Sequence, residues 1–294
     1  DRAPRNPVRR GDAGAAARGR IRRMAARLTA LDAPIFAALK PLLGRLPQDR
    51  FPRHDELNAL TTPATLSGGG APIRFVPPAA ASGEFSAQYE VRIFDTGEVQ
   101  TRADSWHDLF NALVWLAFPK TKAVLNAHHY EQIKSRLGER LRGTARDVLT
   151  LFDEGGIVVA AADPELPALL RQFRWKELFW RRRAEVLRSM RFYVFGHAIY
   201  EKALEPYKGV TAKALIVDAA PGLLETPLAR QLPELDARAA DYFAGPQALA
   251  STRNLSPLPI LGIPGWEPAN AREEYYDDRA QFRPGRSNEP ALRK

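Results

Sequence analysis

At 294 residues, 45% hydrophobic and 26% charged, the chain can bury a substantial core as one large domain or two small ones. It contains no cysteine, which excludes disulfides, thiolate metal ligands and cysteine nucleophiles and fits a reducing compartment. Of its net charge of +9, a balance of +6 lies in residues 1–23, where eight Arg face Asp1 and Asp12, so the basicity belongs to a tail more than to the body.

That tail, rich in Ala, Gly and Pro, reads as disordered over residues 1–23. It suits phosphate contact, a targeting segment or an unselected extension upstream of Met24. No apolar run approaches the roughly 18 residues that span a bilayer, and none at the N-terminus resembles a signal peptide. The globular part is expected over 24–284 as a single domain, with a second disordered tail at 285–294.

Met24 to Leu46 has apolar positions near helical spacing, and Pro34 and Pro41 mark breaks or first turns. From Pro47 to Ser86 the composition turns to Pro, Gly, Thr and Ser, with a brief helix at 54–60 and a brief strand at 73–76. Tyr89 to Arg102 reads as a hairpin, because Tyr89, Val91 and Ile93 alternate with charged residues before Asp95-Thr96-Gly97. Trp106 to Phe118 is a helix apolar on every side, capped by Ser105 with Asp108, and Pro119 starts a second helix to about Arg136.

A second hairpin is expected over Asp147–Ala162, turning at Asp153-Glu154-Gly155-Gly156. Pro164 to Leu204 is helical with a break near 192–195, 214–217 is a strand, and 228–249 is helical again. From Ser251 the chain is Pro-rich and irregular, with enough apolar residues to pack along the body. The expected fold class is helix-rich α+β: buried central helices, a small antiparallel sheet from two hairpins, and a long Pro-rich irregular C-terminal segment.

Polar groups inside so apolar a helix must be satisfied by a partner, a ligand or a metal. His107 and Asn111, four residues apart, share one face. One reading makes His107 a metal ligand or general base, with Asn111 orienting it or a substrate and Asp108 beside them as a third catalytic candidate. The bland alternative pairs His107 and Asn111 with a neighbouring loop and leaves Asp108 as a helix cap. His197 and Glu201 also stand at i, i+4, a spacing that chelates a divalent ion or forms an ordinary surface pair. Together His107, His197 and Glu201 would make a two-His, one-carboxylate metal set. Arg174, Lys176 and Lys202 are candidate binders of an anionic group, although Arg174 and Lys176 also suit an amphipathic helix whose Arg stems cover Trp rings. Lys120, Lys122, His128 and His129 read as a solvated helix face, and Asp153-Glu154 as a turn. P-loop, dinucleotide and nucleophile-elbow motifs are absent, which disfavours triphosphate hydrolysis, Rossmann redox chemistry and the common serine-hydrolase layout.

Trp106-His107-Asp108-Leu109-Phe110-Asn111-Ala112-Leu113-Val114-Trp115-Leu116-Ala117-Phe118-Pro119-Lys120-Thr121-Lys122 resembles the signature of a proteobacterial family of unknown function, DUF 3025. Arg174–Trp180, Phe195–Leu204, Leu258–Trp266, and Tyr276-Asp277-Asp278 with Phe282–Arg286 resemble it too, so the likeness covers roughly 30–286. It implies a bacterial, cytoplasmic protein and carries over no catalytic residue. The leading expectation from the residues themselves is a metal-dependent hydrolase using a divalent metal on an anionic small substrate. The alternatives are a nucleic-acid-binding protein or ββα-like nuclease, with the Arg-rich tail as contact, and a non-catalytic interaction or scaffold protein. No membrane association is expected.

Overall fold

The computed structural model describes residues 29–79, 85–135 and 144–285. The Arg-rich segment 1–23 lies outside them, as does the expected tail at 285–294 apart from Gly285. A 3-10 turn at Pro34–Phe36 and helix α1 (Lys40–Leu43) precede α2 (His54–Asn58) and strand β1 (Arg74–Val76). Helix α3 (Phe85–Thr96) leads into β2 (Glu98–Gln100), which pairs with β1 in parallel. Then come α4 (Trp106–Ala117), α5 (Pro119–Ser135), α6 (Thr144–Gly155) and β3 (Gly156–Ala161). After α7 (Glu165–Arg171) and a π-helical turn at Glu177–Arg181 follow α8 (Arg183–Ser189), β4 (Met190–Val194) and α9 (His197–Ala203). Strand β5 (Thr211–Asp218), α10 (Leu228–Ala244) and β6 (Ser256–Pro259) complete the frame, and 3-10 turns carry the chain to Asp277.

The fold is helix-rich α+β. The larger sheet has the order β4-β3-β5-β6, with β3 parallel to β5 and antiparallel to β4, and β5 antiparallel to β6. Every residue of β3 is buried, as befits a central strand covered on both faces. No helix among the described residues is long and apolar enough to cross a membrane.

Neither expected hairpin forms. The first is α3 followed by β2, and Asp95-Thr96-Gly97 is a helix stop. Gly97, at φ 72°, donates to Ile93 O at 2.8 Å, and any Cβ there would lie 2.0 Å from Pro72 O. The second is α6 followed by β3. Val148, Leu149 and Phe152 are fully buried, an i, i+1, i+4 set that belongs to a helix face. The expected break at 192–195 is strand β4. The Pro-rich C-terminal segment is mostly irregular and packs on the body, held by Asn270, which is fully buried and donates to Leu261 O and Ile263 O.

Candidate functional site

Aromatic packing sets the first two walls of the site. Phe110 on α4 stacks on Tyr200 of α9 at 5.6 Å between ring centres, and Phe36 covers both at 5.8 and 5.6 Å. His107 lies one turn before Phe110, and His197 and Glu201 flank Tyr200, so this stacking brings the two helices' polar residues together. A backbone contact sets the third wall. Gly196 donates to Gly156 O at 2.8 Å, and a Cβ on it would sit 2.5 Å from Glu154 O. Only a bare Cα lets the β4–α9 corner press on the end of α6, which places His197 beside Glu154.

His107 and His197 meet through their Nε2 atoms, 3.1 Å apart, with ring planes at 80°. Glu154 Oε1 is 3.5 Å from His197 Nε2. Ligand atoms of His107, His197 and Glu154 all lie within 4.8 Å of one another. Glu201 Oε2 takes the other ring nitrogen of His107, Nδ1, at 3.0 Å. Glu201 therefore stands behind His107 on its Nδ1 side, and Glu154, not Glu201, is the carboxylate grouped with the two imidazoles. A carboxylate on Nδ1 fixes that nitrogen as N–H and leaves Nε2 with its lone pair aimed at His197.

The tautomer of His197 then poses a conflict. Its Nδ1 is buried, has no hydrogen-bond partner, and lies 3.9 Å from Asp153 Oδ2. If Nε2 carries the proton, it donates to His107, but the bare Nδ1 then faces the Asp153 carboxylate. If Nδ1 carries the proton, two Nε2 lone pairs confront each other at 3.1 Å. Positive charge placed between the rings, a proton or a divalent cation, removes the conflict. Two nitrogens bound to a tetrahedral metal at about 2.0–2.1 Å lie roughly 3.3 Å apart, close to the spacing found.

Beside the rings runs a polar chain, buried at Lys122 and part-buried at its other members. Lys122 Nζ donates to Asp153 at 2.6 Å and to Asn111 Oδ1 at 3.0 Å, and Asn111 Nδ2 donates to the Tyr89 hydroxyl at 3.0 Å. Burial pushes the Asp153 carboxyl up, but the charges of Lys122 and then His197 outweigh it and hold it below the usual range. The hydrogen bond from His197 holds the Glu154 carboxyl low as well. Burial first, and then the nearby carboxylates of Glu90 and Asp153, drive the Tyr89 phenol far upward, so it stays neutral. Asn111 therefore ties Tyr89 to Lys122 and does not orient His107.

Asp108 accepts the Ser105-capped helix start's neighbours: Arg102 N at 2.7 Å, Nε at 2.9 Å and Nη2 at 2.7 Å. Its carboxylate is paired with Arg102 at the start of the helix, and the residue also lines the cavity. Arg174 pairs with Glu177, and Lys176 with Asp277 and Glu273. These two and the exposed Lys202 stand away from the cavity, so the expected anion binders are not part of this site.

His107, His197, Glu154 and Asn111 line one open cavity of about 880 Å³, of a size that holds small molecules. Residues 73–286 match a family described as "Protein of unknown function (DUF3025)". The chain belongs to that family. No curated protein and no solved structure matches it. The DUF3025 match begins at Ile73, later than the likeness read from residue 30, and it includes every residue of the site from Tyr89 to Glu201.

Three members of this DUF3025 site escaped the sequence reading. Asp153 and Glu154 were hidden by the hairpin expectation, although Val148, Leu149 and Phe152 already carried helical spacing. Lys122 reads as solvated, yet it is only 5% exposed. Lys122 lies in the first turn of α5, past the break at Phe118, and the corner between the two helices brings its ammonium 5.2 Å from the Trp115 ring centre. His128 bonds Phe243 O, and His129 lines the cavity, so this helix face is not uniformly solvated.

Proposed function

We propose that this DUF3025 protein is a metal-dependent hydrolase holding a divalent cation through His107 Nε2, His197 Nε2 and a Glu154 oxygen. The observation that carries the reading is the pair of imidazole nitrogens facing each other at 3.1 Å, with a carboxylate behind one ring and an unpartnered buried Nδ1 on the other. Three protein ligands on a cavity wall leave coordination positions open to water and substrate. A cation there would supply a hydroxide nucleophile near neutral pH and polarise the substrate's carbonyl or phosphoryl oxygen. Glu201 would fix the His107 tautomer, and Asp153 would accept from His197 Nδ1 once that nitrogen carries the proton. A bacterial, cytoplasmic setting belongs to the same proposal. The ββα-nuclease alternative loses its motif, because the segment read as its hairpin is α3 followed by β2, which pairs in parallel with β1.

The test is equilibrium dialysis against Zn²⁺, Co²⁺, Mn²⁺ or Fe²⁺, followed by hydrolysis of a panel of chromogenic carboxylic and phosphate esters. One equivalent of metal should bind and support turnover. His107→Ala, His197→Ala and Glu154→Ala should each abolish both, and Glu201→Gln should weaken metal binding about 10–100-fold. A folded protein that retains no stoichiometric metal would overturn the metal site. Activity confined to Fe²⁺ with consumption of O₂ would overturn hydrolysis.

A further inference from the structure

The cavity is longer than the metal cluster requires, and its ends differ in charge. Along α6 it is lined by Arg146, Thr150, Asp153 and Glu154. These stand at i, i+4, i+7 and i+8 and so form one stripe of the helix. Eight helical residues separate Arg146 from Glu154, a rise of about 12 Å. Lys122, near the start of α5, meets Asp153, near the end of α6, and residues further along α5 run back past the earlier part of α6. Of these, His129, Ile133 and Lys134 line the same cavity. The histidine cluster thus occupies one end, and Arg146 and Lys134 the other.

The acidic residues of the lining are already engaged. Glu90 accepts from the Asn126 amide at 2.8 Å, Asp108 from Arg102, Asp153 from Lys122, and Glu154 faces His197. Among the described residues no carboxylate pairs with Arg146 or with Lys134, whose ammonium rests 5.7 Å from the Tyr130 ring centre. Val91, Tyr130 and Ile133 give the wall between the two ends an apolar character. A cavity with a metal-type cluster, an apolar middle and two cations without acidic partners matches a molecule of the reverse polarity.

We infer that Arg146 and Lys134 bind an anionic terminus, carboxylate or phosphate, of a substrate whose apolar segment spans about 12 Å to the bond held at the histidine end. The position of the reacting bond rests on the hydrolase reading; the anion end does not.

The probes are straight-chain α,ω-dicarboxylic acids of four to fourteen carbons, each against the monocarboxylic acid of equal length. Binding is read by calorimetry on the full chain, with and without Co²⁺, and by changes in the cobalt visible bands. At C–C bonds of about 1.5 Å, a chain of roughly ten carbons reaches both ends. The dicarboxylate near that length should bind about tenfold more tightly than its monocarboxylate partner, and shorter ones should show no such advantage. Replacing the distal carboxylate by a phosphonate distinguishes the two termini: the tighter of the pair identifies the natural one. Arg146→Ala with Lys134→Ala should erase the advantage while leaving the cobalt bands intact. A length optimum without cobalt bands would sink the metal reading and support this inference. Cobalt bands with equal mono- and dicarboxylate affinities, unmoved by the double substitution, would sink this inference and leave the metal reading standing.

Discussion

Lys122 is an ammonium at 5% exposure, held between the Asp153 carboxylate, the Asn111 amide and the face of Trp115. A buried charge of this kind is tolerated only because it is paired, and removing one partner strands the other. Lys122→Met should therefore cost about 3–5 kcal/mol at pH 7, and Lys122→Met with Asp153→Leu should cost less than the single change. The sign of the pH dependence follows from Asp153, whose folded carboxyl lies below its unfolded value. Its contribution is fully present above the unfolded carboxylate pKa of about 3.9 and is lost as the pH falls through the lower folded value. In Lys122→Met the stranded carboxylate should take up a proton at higher pH, so the stability gap to the parent should narrow on acidification. Urea denaturation from pH 7 to pH 3 measures this. A gap that stays constant would show that the pair contributes no charge interaction.

At the scale of elements, two glycines near the meeting of α6 and α9 illustrate how the site is assembled. Gly196 has backbone of Glu154 and Gly156 within 2.5 Å of where a Cβ would be, whereas Gly155 has nothing within 4 Å. Gly196→Ala must push α9 away from α6 and carry His197 off Glu154. It should cost about 1–3 kcal/mol, as overpacking does, and reduce metal binding with it. Gly155→Ala, at the end of α6, should leave both unchanged. Thermal denaturation with and without Zn²⁺ separates the cases, and a Gly196→Ala protein with full zinc stabilisation would refute the positioning role. The same glycines explain what was legible beforehand. The apolar helix with His107 and the Pro119 break could be read directly, because a helix buried on all but its cavity face leaves an unmistakable run of large apolar residues. Asp95-Thr96-Gly97 and Asp153-Glu154-Gly155-Gly156 could not, since glycine ends helices and turns hairpins by the same left-handed or uncrowded backbone. What decides between them is the packing of Phe152 and Ile93, a tertiary fact. With residues 147–162 read as a hairpin, Glu154 falls in a turn, and Glu201, which shares a helix with His197, is the carboxylate the spacing offers instead.

In the whole molecule, the site lies where helices α3, α4, α5 and α6 meet the β4–α9 corner of the mixed sheet. A single hydrophobic cluster from Leu31 to Phe282 supports it. The C-terminal segment adds to that support from the far side: Trp175 donates to Arg283 O at 2.8 Å, and the Tyr276 hydroxyl to Gly262 O at 3.0 Å. Helix α5 is tied in at its first turn by Asp236 of α10, which accepts from Lys120 N and Thr121 N at 2.9 Å each. Rigid anchoring on both sides of a cavity is what a preorganised cation site requires, since the cost of gathering the ligands falls on folding rather than on binding. The coordination itself is the central claim, and anomalous diffraction from zinc-loaded crystals at the zinc edge observes it most directly. The account predicts one strong peak within about 2.0–2.2 Å of His107 Nε2, His197 Nε2 and a Glu154 oxygen, with Glu201 still on His107 Nδ1. A peak on other residues, or none beside two histidines that remain hydrogen-bonded to each other, would contradict it.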